Sequence, residues 1–174
     1  TAVGHHALKL NTTAADNTAI GRNALCTTTT GCVNTAVGSS AMQSNTTGDE
    51  NVAIGGGALY DNTTADHNTA VGHNAATNTT TGKDNTVVGS SALFTNTTGH
   101  DNIVIGCGAL YSNTSGADNV GIGYQALYNN TSACSNSAMG WQAMAANTTG
   151  DFNTAVGFTA LTANTTADNN TAIG

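Results

Sequence analysis

A chain of 174 residues with a formal charge of −7, 7% charged, 5% aromatic and 39% hydrophobic residues and no proline is too apolar for a highly charged disordered tail. It is also too poor in charge and aromatics for an ordinary enzyme domain. Three Lys and Arg in total cannot neutralise a phosphate track, so no nucleic-acid partner is expected, and no apolar run is long enough for a membrane-crossing helix.

The chain repeats one unit. Asn17, Asn34, Asn51, Asn68, Asn85, Asn102, Asn119, Asn136, Asn153 and Asn170 are spaced seventeen residues apart with no insertion, and ten turns of the unit fill residues 1–174. Counting that Asn as position one, position five is always Gly (Gly38, Gly55, Gly72), position eight always Ala (Ala41, Ala58, Ala75) and position thirteen always Thr (Thr46, Thr63, Thr80). Positions six, seven, ten, eleven, sixteen and seventeen vary freely, hosting Arg22, Tyr60, Lys83 and Trp141, which marks them as corners facing solvent. The first residues, "TAVG", and the last, "TAIG", both lie inside a repeat; the chain reads as a length of something longer.

Within each unit the elements follow in a fixed order. "TAVG" or "VAIG" at positions two to five predicts one short strand, because β-branched residues alternate there. The Ala-Leu pair and the residue after it predict a second. "NTTG" or "NTTA" predicts the corner, since Asn and Thr bond their own backbone in turns. A unit this short cannot hold a helix pair, and a chain without proline can donate a backbone N–H at every step to the next coil. The fold expected is therefore all-β, a parallel β-solenoid (β-roll or β-helix) of ten seventeen-residue coils, a single repetitive domain over residues 1–174. Stacked about 4.8 Å apart, the coils make a rod roughly 48 Å long. Asn34, Asn51 and Asn68, with the Gly, Ala and Thr columns named above, are expected to form ladders along it.

Strand alternation divides the apolar residues between two faces. Val37, Ile54 and Val71 at position four, with Leu25, Met42 and Leu59 at position nine, are assigned to the core of the coil. Position three then faces outward, yet Ala36, Ala53, Ala70, Val87, Val104 and Ala155 are never replaced by a polar residue. A solvated face should alternate with polar residues, so this row is expected to be a contact between chains lying side by side.

The segments "NTAVG", "NVAIG", "NIVIG" and "NVGIG", each followed by two variable residues and Ala, resemble the head repeats of trimeric autotransporter adhesins. The fuller unit is similar to shaft repeats of bacterial and viral surface or tail fibres. The resemblance implies a left-handed β-roll, three chains side by side as a homotrimer, and small residues where chains meet. The adhesin unit is usually shorter and lacks the regular "NTT" corner with its Thr column.

Further residues invite chemistry. Asn11, Asn45, Asn62, Asn78, Asn96, Asn113, Asn130, Asn147 and Asn164 each begin an N-x-[ST] pattern and so are either glycan acceptors or turn residues. Cys26 and Cys32 lie in one coil and are candidates for a disulfide across the corner. Nine of the acidic residues form a stripe at positions sixteen and seventeen, read as a solubility device. Tyr60, Phe94, Tyr111 and Tyr128 recur at position ten and Tyr124, Trp141 and Phe158 at position six; such columns either pack between chains or stack on sugar rings. The five histidines share no ligand spacing and no Ser, His and Asp gather at a nucleophile elbow, so neither catalytic residues nor a metal or other cofactor is expected.

The reading that fits best is a non-enzymatic structural region of an extracellular fibre, adhesin or virion appendage, on a cell or virion surface. It would be a stiff rod that self-associates side by side, end to end as a filament, or both, and presents an element that meets a receptor or glycan. The alternative is an ice-binding or glycan-binding solenoid using Thr or aromatic columns, with Thr12 to Thr165 as one candidate row and Thr18, Thr35 and Thr69 beginning another.

Overall fold

A computed structural model describes all residues, Thr1–Gly174. Eleven short strands form one parallel sheet in chain order: β1 (Ala2–Val3), β2 (Thr18–Ile20), β3 (Thr35–Val37), β4 (Val52–Ile54), β5 (Thr69–Val71), β6 (Thr86–Val88), β7 (Ile103–Ile105), β8 (Val120–Ile122), β9 (Ser137–Met139), β10 (Thr154–Val156) and β11 (Thr171–Ile173). Each pairs with the same positions one coil away, as in Thr35 with Val52, Ala36 with Ala53 and Val37 with Ile54. The chain is thus an all-β parallel solenoid, and the constant seventeen-residue offset is what keeps like side chains over like.

Only 19 of the 115 backbone hydrogen bonds lie within the strands. Most of the rest also join neighbouring coils, because corner and turn residues repeat the same bonds at every level. Met42 N–H donates to the Ala58 carbonyl (2.9 Å), Ser44 to Tyr60 (3.0 Å) and Thr46 to Thr63 (2.9 Å). The coil is therefore bonded to its neighbour around most of its perimeter, which three-residue strands alone could not achieve.

The Ala-Leu segment is not a second strand. It is a run of turns in which positions seven and nine both take left-handed backbone, as in Ser40 (φ 58°) and Met42 (φ 50°), or Gln125 and Leu127 (both φ 53°). Leu and Met gain nothing locally from that conformation. They adopt it because it drives the side chain into the interior: Leu25, Met42, Leu59, Leu93, Leu110, Leu127 and Met144 are the largest fully buried side chains. Burying each of them contributes about 1.5–3 kcal/mol, enough to offset one strained residue of roughly 1–2 kcal/mol.

Position five takes φ between 132° and 145° in every coil. A Cβ on Gly38 would sit 2.5 Å from the Gly55 carbonyl oxygen of the next coil, so any side chain here would part the stack.

The strand faces are the reverse of the sequence expectation. Ala36, Ala53, Ala70, Val104 and Ala155 are fully buried, Val87 nearly so, and all belong to the core. They form no interface between chains. Val37 and Val71 are half-exposed and Ile54 exposed, on the outer face of the sheet. The physical reason is the thinness of the coil. The position-nine side chain of one coil reaches the position-three residue of the next, and Leu110 Cδ1 occupies the space a Cβ on Gly121 would need. Position three is small because Leu already fills the interior, and position four can be bulky because it points out.

Candidate functional site

The sheet, the turn segment and the corner each carry columns of like residues, and the asparagines organise the inside. Asn102 shows the pattern. Its backbone N–H and its Nδ2 both donate to Asn85 Oδ1 in the preceding coil (3.1 and 3.0 Å), and Nδ2 also donates to the Gly116 carbonyl at position fifteen of its own coil (3.0 Å). The backbone bond and the bond to position fifteen recur from Asn34 through Asn51 and Asn68 to Asn153. Each Asn therefore closes its own coil and ties it to the one before.

The corner asparagines at position twelve form a second column, the ladder alternative to glycan acceptors. Asn113 Nδ2 donates to Asn96 Oδ1 (3.0 Å) and to the same Gly116 carbonyl (3.0 Å) that Asn102 reaches. Asn45, Asn62, Asn96, Asn113, Asn130 and Asn147 are fully buried. These six are not glycan acceptors in the folded chain, because their amides face the interior and are consumed by the ladder. Asn11 is exposed and Asn78 and Asn164 half-buried; Asn78 stands one place out of column, at position eleven. The signal was available: eight of ten copies carry Asn at position twelve, next to the invariant Thr, a frequency that a solvated corner would not need.

Two coils replace that Asn by threonine, Thr28 and Thr79. The only two buried side-chain polar atoms without a partner are Thr28 Oγ1 and Asn62 Oδ1. The second follows directly: Asn62 Oδ1 should receive the amide of the next coil, and Thr79 has none to give.

The threonine column at position thirteen forms a third ladder. From Thr12 to Thr148, through Thr46, Thr63 and Thr80, each hydroxyl donates to the position-thirteen carbonyl of the following coil at 2.9–3.2 Å. Gly38, Gly55 and Gly72 line the bend after the strand, and Ala41, Ala58 and Ala75 are fully buried behind it.

The corner acids also bond the stack. Asp49 Oδ1 accepts from Cys32 N–H (2.6 Å), Asp66 from Asp49 (2.8 Å), Asp151 from Cys134 (2.7 Å) and Asp168 from Asp151 (2.8 Å). Cysteine at the same position does the same work, for Cys32 Sγ accepts from Ala15 N–H (3.4 Å) and Cys134 Sγ from Ala117 N–H (3.3 Å). Cys26 and Cys32 are free thiols and are not joined, since Cys32 turns its sulfur into the corner column. Beside them His67 lies between Glu50 (3.7 Å) and Asp84 (3.3 Å) of the coils above and below.

The aromatic columns stack on themselves. Phe94, Tyr111 and Tyr128 lie with ring centroids 5.2 Å apart at each step and planes within 12°. Tyr124 and Trp141 are 5.8 Å apart, and Trp141 and Phe158 4.9 Å. Within each column the rings stack face to face, so Tyr111 and Trp141 are covered on both faces.

What the outside offers is the sheet face itself. Positions two and four carry Thr, Ser, Val, Ile and Met alone, with Ile54, Val88, Ile103, Ile105 and Met139 all exposed. Comparison with family models, with curated proteins and with solved structures gave no match.

Proposed function

We propose that this chain is a stiff repetitive shaft, a structural region of an extracellular fibre, adhesin or virion appendage, that holds a binding or anchoring element at a distance. The observation supporting this reading is the perimeter-wide bonding of successive coils. A bend would have to break strand, turn, corner and asparagine-ladder bonds together, and each added coil contributes its own interface to the stability of the stack. Length is then the product of the repeat, which gives ten near-copies a purpose that a single reaction centre does not.

Electron microscopy of the native material is the test. Thin unbranched shafts with elements at their ends are expected. Discrete short particles carrying nothing would defeat the proposal.

A further inference from the structure

We infer that the outer face of the sheet is the seat of a second copy of this chain, lying alongside in parallel orientation. This deepens the shaft reading but does not depend on it, since the bonds that join the coils all lie within one chain.

A chain of net charge −7 keeps every charge off positions two and four over eleven strands, while the same face exposes Ile54 at 41%, Ile105 at 41% and Met139 at 43%. Position two is Thr or Ser in eight of its eleven copies, polar but uncharged, while position four beside it is apolar at every level. Next to this face, past the glycine bend, stands the stack of Tyr124, Trp141 and Phe158, exposed at 43–69%. Exposed aromatics continuous with a charge-free strip of Thr, Val and Ile match the depletion of charge and enrichment of aromatics at a protein–protein interface core.

The face is also large enough. Eleven strands about 4.8 Å apart, each about 10 Å long, present roughly 500 Å². Two copies then bury about 1,000 Å², the threshold for a specific interface. Most of the strip must be used, which matches a face kept free of charge from end to end.

The borders of the face select the partner and its direction. Along each coil the acidic stripe at positions sixteen and seventeen precedes the strand, and position six, carrying Arg22, His73 and the aromatics, follows it. A two-fold axis along the rod sets the acidic border of one copy against the position-six border of the other. Antiparallel rods would instead set acid against acid. Because coil spacing is identical in both copies, side chains at positions two and four interdigitate at every level.

The test is sedimentation equilibrium of the intact chain and three variants, with circular dichroism to confirm folding. Ile105→Glu should weaken association roughly a hundredfold, as expected when a charge is buried without a partner. Trp141→Arg, which breaks the exposed aromatic stack and touches no residue of the buried core, should weaken it as well and supplies the reading if Ile105→Glu misfolds. Thr98→Glu, on the opposite corner, should leave association unchanged. Spin labels at Thr18→Cys, with the four native cysteines changed to serine, should be close together across the pair; a separation near the full rod length would overturn the parallel arrangement. A wild-type chain that is monomeric, with or without thermal hysteresis, would overturn the whole proposal while leaving the shaft reading intact. So would association that survives both Ile105→Glu and Trp141→Arg in folded protein.

Discussion

Two columns of asparagine run through the rod, and they are not equally strict. The column at position one is unbroken from Asn17 to Asn170, whereas the column at position twelve gives way to Thr28 and Thr79. The difference lies in how much each amide does. A position-one Asn accepts a backbone N–H from the next coil as well as an amide, and its own amide closes the coil. A position-twelve Asn shares the same closing carbonyl but takes no backbone N–H from the neighbouring coil. Losing one of these strands a single acceptor, as at Asn62 Oδ1. Losing one of the former strands a buried backbone donor too, and the column cannot afford it.

Four substitutions separate these roles. The largest effect is expected outside both columns: Ala70→Glu should abolish folding, because the residue is fully buried beside the leucine row and an unpaired charge there costs several kcal/mol. Loss of the circular dichroism of the single chain is the expected sign; a folded variant that merely fails to associate would restore position three to the surface. Next, Asn102→Ala should cost about 3 kcal/mol or more, since Asn119 loses the acceptor for both its backbone N–H and its amide. Asn113→Ala should cost about 1–2 kcal/mol, because Asn130 Nδ2 still reaches the Ala133 carbonyl. Denaturant midpoints of these two variants measure the contrast, and equal costs would erase it. The smallest effect is a gain: Thr79→Asn should raise stability by about 1 kcal/mol by giving Asn62 Oδ1 its missing donor, read as an upward shift in midpoint.

How much of this was legible follows from what a period can and cannot encode. Identity at fixed spacing locates every coil, the glycine bend and the columns at positions one, eight and thirteen, because a stack places like over like. The direction of the strand faces is not encoded. Alternation separates position three from position four, but both are apolar, and the usual inference that the larger residue is inside fails when Leu110 has already taken the room beside Gly121. Nor does sequence reveal the left-handed backbone at Leu59 (φ 50°) or Leu93 (φ 52°); leucine disfavours that conformation, and only the tertiary gain of burying it selects it. Asn45 and its equivalents read as corner and ladder residues before glycan acceptors, but one pattern serves both, and burial is what separates them.

The central claim is that each seventeen-residue unit adds one strand spacing of length and nothing to the girth. Small-angle X-ray scattering of the native chain beside a variant with five coils duplicated in register tests it most directly. The account predicts a maximum dimension longer by about 24 Å with the cross-section radius unchanged. An added mass that thickens the particle and leaves its length as it was would contradict the solenoid and every ladder built on it.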